Sequence, residues 1–277
     1  MPIAQKPPGE KPGFKEINAW PWEKLRDRFR EHPVDGAYTK FGINRIAVEE
    51  FGRRILEFKN SDEKIIINDV GLGIEERKGV ILRGRDLTKR NVSFEPFELL
   101  NQVRLAGIEP DRFRLYGIDE RRDVLLAVRS TKVLLVGKEE RDERYFQKFF
   151  QGFHMGDKGG YVPVRIPRDY RRRITCAELD IEKTPAPKKA HITFSYMYVG
   201  APVSIRCLEN LAKSTMRGGY VMTYCPVYPE ILEALGLEDM GPAGGRVEKS
   251  EKLTKILLPG GSRLGVGNLY QGVYRVK

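Results

Sequence analysis

Two short apolar segments place the strongest constraint on the fold of this chain. One covers residues 64–70 and leads into Gly71 and Gly73, and the other covers residues 113–119 and ends on Asp119. Buried parallel strands read as continuous apolar runs, and their carboxyl ends border the ligand crevice of an open α/β sheet. The two segments therefore predict parallel strands with a binding site at their carboxyl edge.

The residues at these strand ends suit a nucleoside. Glycine lets the backbone approach a ligand closely, which favours Gly71 and Gly73 as contacts. A carboxylate such as Asp119 can accept hydrogen bonds from both hydroxyls of a ribose. The alternatives are that Asp119 caps the following helix and that the glycines simply form a tight turn.

Composition divides the chain into three predicted parts. Residues 1–13 are rich in proline, glycine and lysine, which indicates a flexible leader. Residues 14–60 carry apolar positions at three- and four-residue steps, so we expect a helical segment there. Residues 61–277 alternate strand-like and helix-like stretches, which predicts an α/β, Rossmann-like domain with a mostly parallel sheet and an antiparallel C-terminal strand.

Within this domain the pattern predicts individual strands and helices. The strands cover residues 64–70, 113–119, 174–179, 192–198, 220–224, 253–258 and 270–276. The helices begin near residues 93, 121, 205 and 229. Helix 205–216 is expected to stop at the glycine pair Gly218-Gly219.

Length and composition indicate a globular protein. A chain of 277 residues can bury roughly 75% of its unfolded surface. Its three cysteines and three histidines are scattered, which argues against a metal site and favours the reducing cytoplasm. No run of 18 apolar residues occurs, so no membrane span is expected. A charged fraction of 31%, against the usual ~25%, suggests a heat-adapted source.

Four further motifs sharpen the prediction. They are Glu95-Pro96-Phe97 at a helix start, Tyr116-Gly117-Ile118-Asp119 at a strand end, Arg144-Tyr145-Phe146, and an arginine-rich stretch before the strand at 174–179. In this order they resemble the class I S-adenosylmethionine-dependent methyltransferases, and more narrowly their chemoreceptor glutamate methyltransferase (CheR-type) branch. The resemblance covers about residues 61–225. It implies a Rossmann-like methyltransferase sheet, S-adenosylmethionine as cofactor, and methyl transfer to a protein or small-molecule acceptor.

The resemblance also implies a set of residues that contact the cofactor. These are Asp69, Gly71, Gly73, Glu95, Asp119, Asp180, Ile181 and Ser195. Asp119 would hold the ribose hydroxyls, and Asp69 with the two glycines would line the methionine side. Asp180 and Ile181 would flank the adenine, although an aspartate in that position is often a plain turn or cap residue.

Tyr196 and Tyr198 are the predicted catalytic residues. They lie where the methyl group would sit in the related enzymes, and a phenol there can orient an acceptor or contact a positive sulfur through its ring. Methyl transfer needs little beyond holding the acceptor in line with the methyl group and, in some cases, removing a proton. The alternative is that one of these tyrosines is an ordinary core aromatic.

Two departures from the family pattern keep another function open. Residues 74–92 form an insertion directly after Gly73, and their apolar run at 80–82 predicts an extra strand or hairpin. The chain also lacks the Arg-Asn pair that the chemoreceptor enzymes carry after the fourth strand. The alternative is therefore a binding protein that keeps the fold but has lost catalysis.

The basic character of the chain suggests a further alternative. The formal net charge is +11, which favours encounter with nucleic acid or an acidic protein. The densest basic cluster consists of Arg165, Arg168, Arg171, Arg172 and Arg173. It predicts contacts with phosphates, as in an RNA-modifying or RNA-binding protein, or with an acidic partner; the alternative is a solvated face.

Overall fold

A seven-stranded sheet forms the centre of the molecule. The computed structural model describes residues 45–72, 75–77, 81–82, 85–86, 90–92, 94–137, 161–165, 167–195, 205–224, 229–243 and 271–277. The strands of the sheet are β1 (Ile65–Val70), β2 (Phe113–Asp119), β3 (Ile174–Glu178), β4 (Ala190–Ser195), β5 (Thr215–Tyr224), β6 (Leu237–Pro242) and β7 (Gln271–Val276). Their order across the sheet is β6-β7-β5-β4-β1-β2-β3.

The directions of the strands confirm the predicted fold class. β1 pairs in parallel with β4 on one side and with β2 on the other, and the β2–β3 and β4–β5 pairs are also parallel. β7 runs antiparallel to both of its neighbours, β5 and β6. The domain is therefore α/β and Rossmann-like, with a mostly parallel sheet and an antiparallel C-terminal strand.

Helices cover both faces of the sheet. The described helices are α1 (Arg45–Glu57), α2 (Glu95–Leu105), α3 (Arg122–Ser130), α4 (Arg168–Arg171), α5 (Ile205–Lys213) and α6 (Pro229–Ala234). In β1, Ile65 and Ile67 join the apolar cluster that includes α1 and α2, whereas Val70 joins the cluster on the α5 side. Burial on both faces explains why β1 is apolar almost throughout. None of the described helices is long and apolar enough to cross a bilayer.

The predicted N-terminal helical segment includes α1, which packs on the sheet. Val48, Phe51 and Ile55 are fully buried at three- and four-residue steps, and the Phe51 ring meets Phe194 of β4 edge-on at 6.1 Å between centroids. Each such apolar side chain contributes about 1.5–3 kcal/mol on burial. The predicted leader and the rest of this segment, residues 1–44, lie outside the described residues.

Several element boundaries differ from the prediction. α5 ends at Lys213, and β5 begins at Thr215 rather than at residue 220. The pairing of β4 with β5 jumps between Ala190 and Ile192, because residues around Gly218 form a bulge in β5 and Gly218 has a φ of 79°. The glycine pair that was expected to end a helix therefore kinks a strand instead. The last strand pairs with β5 and β6, and the strand predicted at 253–258 lies outside the described residues.

The insertion after β1 contains two short antiparallel ladders. Residues 75–77 pair with 90–92, and Ile81–Leu82 pairs with Arg85–Asp86, so the predicted extra hairpin is present. The strand Arg90–Val92 lies beside α3, which packs on β2 and β3. This end of the insertion is therefore on the β3 side of the sheet, away from β4. A further hairpin, Val133–Gly137 with Tyr161–Arg165, was not predicted.

Candidate functional site

The strand order places a crevice at the carboxyl edge of the sheet. From β1 the chain proceeds to β2 and β3 on one side and then crosses to β4 and β5 on the other. Open α/β sheets bind ligands outside the carboxyl ends of their strands at such a reversal. Here the reversal lies between β1 and β4, so the residues that end these two strands are the first candidates.

Asp69 is buried at this edge among other acids. Its side chain is 0% exposed, and no N–H group among the described residues donates to either of its oxygens. The pKa of Asp69 is raised well above its ordinary value, first by burial and then by the charge of Glu95 and a hydrogen bond shared with the Glu95 carboxyl. The charges of Asp119 and Glu98 raise it further. Burial and the surrounding acids therefore favour the protonated form of Asp69.

The start of α2 supplies two of these acids. The helix begins at Glu95 with Pro96 in its first turn, and no side chain caps its first residue. Glu95 and Glu98 are only 4% and 2% exposed. The positive end of the helix dipole favours acids in the first turn, which offsets part of the repulsion from Asp69. Glu98 belongs to the site but was missed, because an acid in a first turn ordinarily faces solvent.

Asp119 ends β2 beside this group. The Asp119 Oδ1 accepts a hydrogen bond from the backbone N–H of Arg121 at 2.8 Å, which is the capping role that the sequence left open. A carboxylate can accept further hydrogen bonds beside this one, since its two oxygens offer about four acceptor sites. Asp119 is 9% exposed, so it borders solvent more closely than Asp69 does. Capping and the predicted ribose contact are therefore compatible.

Gly71 turns the chain sharply after β1. Its φ of 77° lies in the left-handed region, and its N–H donates to the carbonyl of Ile118 at 2.8 Å. This bond ties the end of β1 to the end of β2. Leu72 then packs into the core, where it fits because Gly117 has no side chain. Gly73 lies outside the described residues, so its predicted role stays a prediction.

Hydroxyl groups without partners mark the other side of the crevice. Ser195 at the end of β4 and Thr223 in β5 are register partners, and both are 0% exposed. Neither Ser195 Oγ nor Thr223 Oγ1 forms a hydrogen bond with another described residue. Asp69 pairs with Phe194 in register, so Ser195 is one residue farther along and faces the opposite side of the sheet. Buried hydroxyls of this kind would gain partners from a polar ligand.

The predicted adenine contacts lie one strand farther out, after β3. The Asp180 Oδ1 accepts the N–H of Glu182 at 2.9 Å, and Oδ2 pairs with Lys183 at 2.7 Å. The hydrogen bond from Lys183 is the main reason that the pKa of Asp180 is lowered. Ile181 is buried in the apolar cluster around α5. Asp180 thus serves a turn, and a ligand role for this pair stays a prediction.

The remaining predicted residues are not gathered at this edge. Tyr196 and Tyr198 lie outside the described residues, so their catalytic role stays a prediction. The arginine cluster surrounds the start of β3, at the amino edge of the sheet. No group of three or more His, Cys, Asp or Glu among the described residues is placed to hold a metal ion.

Comparisons with known proteins give structural likenesses at low identity. No family model and no curated protein matches the chain. The chain is similar to the N-methyltransferase NodS from Bradyrhizobium japonicum WM9 in complex with S-adenosyl-L-homocysteine, at 10% identity over 78% of this chain and 87% of that chain, with a TM-score of 0.35. It is also similar to an SAM-dependent methyltransferase from Geobacter sulfurreducens in complex with S-adenosyl-L-homocysteine, at 12% identity over 79% and 72%, with a TM-score of 0.36.

Other solved structures are considerably longer than this chain. The chain spans 34% of the CurJ carbon methyltransferase and 64% of the SAM-dependent O-methyltransferase from Thermotoga maritima, with TM-scores of 0.31 and 0.35. Both likenesses have identities of 12% or less. At these values, a likeness transfers no substrate and no residue role to this chain.

Proposed function

We propose that this protein binds S-adenosylmethionine at the carboxyl edge of its sheet and transfers the methyl group to a protein or small-molecule acceptor. The observation that carries the proposal is the buried acid group around Asp69, at the reversal of the strand order. All the charges that raise the pKa of Asp69 come from other acids. A ligand with a positive charge would replace the proton held there and relieve the repulsion.

The residues present fit this cofactor. When bound, S-adenosylmethionine supplies an electrophilic methyl group on a positively charged sulfur. Asp69 and Glu95 would hold the α-ammonium group, and Asp119 would accept hydrogen bonds from the ribose hydroxyls. The left-handed turn at Gly71 lets the backbone approach the ligand. Ser195 Oγ, which has no hydrogen-bond partner among the described residues, would gain one from a polar group in the crevice.

The chain's own contribution to the reaction would be positioning. Burial of the acids would exclude water from the α-ammonium group and would hold the cofactor in one orientation. Tyr196 and Tyr198, which follow β4 in the sequence, are the proposed residues that orient the acceptor. The motifs at 95–97 and 116–119 favour an enzyme of the chemoreceptor type by fold, and we expect it to act in the cytoplasm.

Titration calorimetry with S-adenosylmethionine and S-adenosylhomocysteine tests the proposal. Asp119→Asn keeps an acceptor for the Arg121 N–H but removes the carboxylate charge, so we expect at least tenfold weaker binding without unfolding. Asp111→Asn is the matched control, since Asp111 is exposed in the short 3-10 turn that precedes β2. Binding that is absent at millimolar ligand, or equal in both variants, would contradict the proposed site.

A further inference from the structure

A second pocket lies on the surface at the opposite edge of the sheet. Its volume is about 210 Å³, and it is lined by Val128, Arg129, Arg171, Arg172 and Ile174. Ile174 is the first residue of β3, whereas Glu178 at the other end of β3 is the register partner of Asp119. The four-residue advance along β3 from Ile174 to Glu178 separates the pocket from the level of Asp119 by about 13 Å. The pocket is therefore distinct from the crevice at the carboxyl edge.

The charges that the described residues place in this pocket are all of one sign. Of the five described lining residues, three are arginines and none is acidic. None of their guanidinium groups forms an ion pair or a hydrogen bond in the described part of the chain, whereas Arg53 and Arg54 pair with Glu50, and Arg121 pairs with Asp123. Guanidinium groups gathered without a counter-charge repel one another. An anion that enters the pocket would relieve this repulsion.

The backbone that carries Arg171 and Arg172 is held in place by the sheet. The Tyr170 ring packs against Phe113 at 6.0 Å between centroids. The carbonyl of Arg173 accepts the N–H of Leu115 at 3.0 Å, which fixes the turn to β2. A site whose donors are already positioned loses less entropy on binding.

A fourth guanidinium reaches the same turn. The Arg114 Nη1 donates to the carbonyl of Arg172 at 3.3 Å. Arg129, on α3, lies more than 40 positions from Arg171 and Arg172 in the sequence, so the pocket is assembled only by the fold. The combination favours an anion that offers several acceptor oxygens at once.

We propose that this arginine pocket binds a backbone phosphate of a nucleic-acid strand. Guanidinium groups match phosphate oxygens in pairs, and three of them exceed what one carboxylate can satisfy. The volume is below the roughly 300–1,000 Å³ of sites that enclose a whole small molecule, so only part of a larger ligand would enter. The net charge of +11 favours a polyanion as that ligand. Val128 and Ile174 offer apolar surface beside the phosphate.

Fluorescence anisotropy of the full chain with a labelled 20-nucleotide oligouridine tests this proposal. The variant R129Q/R171Q/R172Q is compared with R206Q/R217Q/R275Q, which removes the same number of charges from exposed positions on other elements. We expect the pocket variant to bind at least tenfold more weakly in 50 mM salt and the control to stay within threefold of the unmodified protein. The slope of log affinity against log salt should flatten by about 0.7 for each phosphate that the pocket variant no longer neutralises.

Three outcomes would overturn the proposal. The first is an equal loss in both variants, which would mean that the binding is non-specific attraction to net charge. The second is displacement of the RNA by polyglutamate of equal length at equal concentration, which would identify an acidic protein as the partner. The third is absence of RNA binding in 50 mM salt; protection of the fold by inorganic phosphate in that case would point to a small phosphate compound. Circular dichroism of both variants checks that each is folded.

Discussion

Replacing Asp69 with asparagine should stabilise the protein, and the gain should grow as the pH rises. Asp69 is fully buried among acids, and its pKa is raised well above the ordinary value. Above about pH 4 the unfolded chain loses this proton, whereas the folded chain keeps it until its own higher pKa is reached. Folding in this interval therefore takes up a proton, and the free energy of unfolding falls as the pH rises. Asparagine has the same shape and no proton to take up.

The size of the effect has an upper limit. One proton contributes at most about 1.4 kcal/mol per pH unit to the free energy of unfolding. Between pH 5 and pH 7 the advantage of Asp69→Asn should therefore grow by up to about 2.7 kcal/mol. For a domain of this size each kcal/mol moves the melting temperature by roughly 2–4 °C, so the two melting temperatures should diverge by up to about 5–11 °C.

Urea unfolding of both proteins at pH 5, 6 and 7 measures this difference, and contributions from other titrating groups cancel in it. Asp62→Asn is the control for the loss of a carboxyl group, because Asp62 is exposed on the same domain. A constant difference for Asp69→Asn, or a variant that loses stability relative to the unmodified protein as the pH rises, would refute the raised pKa. The same variant should bind S-adenosylmethionine at least tenfold more weakly, since stabilising a strained site commonly costs function.

Two further substitutions test the turn after β1 and the attachment of α1. Gly71→Ala should lower the free energy of unfolding by about 1–2 kcal/mol, because φ at this position is 77°, and should also weaken S-adenosylmethionine binding. Gly236→Ala is the control. Its φ is 66° and the space around it is open, so it should cost the same stability without changing the affinity measured by titration calorimetry. Tyr220→Phe removes the hydroxyl that donates to Glu57 at 2.6 Å, so the free energy of unfolding in urea should fall by about 1 kcal/mol. Tyr116→Phe, at a half-buried tyrosine, is the control. Burial and this bond raise the pKa of Tyr220, so its contribution should persist below about pH 10 and disappear as the pH rises beyond it; a loss that is the same at pH 7 and pH 11 would contradict this.

The central strands were predictable because burial on both faces of a sheet favours apolar residues at successive positions. β1 and β2 contribute residues to the apolar clusters on both faces of the sheet, and apolar residues predominate along them, with Asn68 and Arg114 as polar exceptions before the crevice. The start of β5 was not predictable in the same way. A glycine pair after a helix is a common stop signal, and only the pairing with β4 shows that Gly218 bulges a strand here.

The composition of the acid group was only partly predictable. Asp69 and Asp119 follow apolar runs, and the carboxyl ends of neighbouring parallel strands necessarily meet at one edge. Glu98 and Thr223 carry no such signal, since an acid near a helix start and a threonine in a strand are both ordinary. At the other edge, the sequence did not predict that Arg129 joins the arginine pocket. Arg129 and Arg171 are far apart in the sequence, and only the fold brings both to one pocket.

The two edges of the sheet carry charges of opposite sign, and the net charge of the chain therefore does not indicate the charge of the crevice. The chain carries +11 overall, yet the groups around Asp69 are acids whose burial keeps dissolved salt away from them. The arginines at the amino edge lie at the surface, where salt screens them. A cationic ligand and a polyanion would therefore bind to opposite edges without competing. The charge of each site is set by the residues that the fold brings together there. The net charge of the whole chain is a sum over both sites and describes neither.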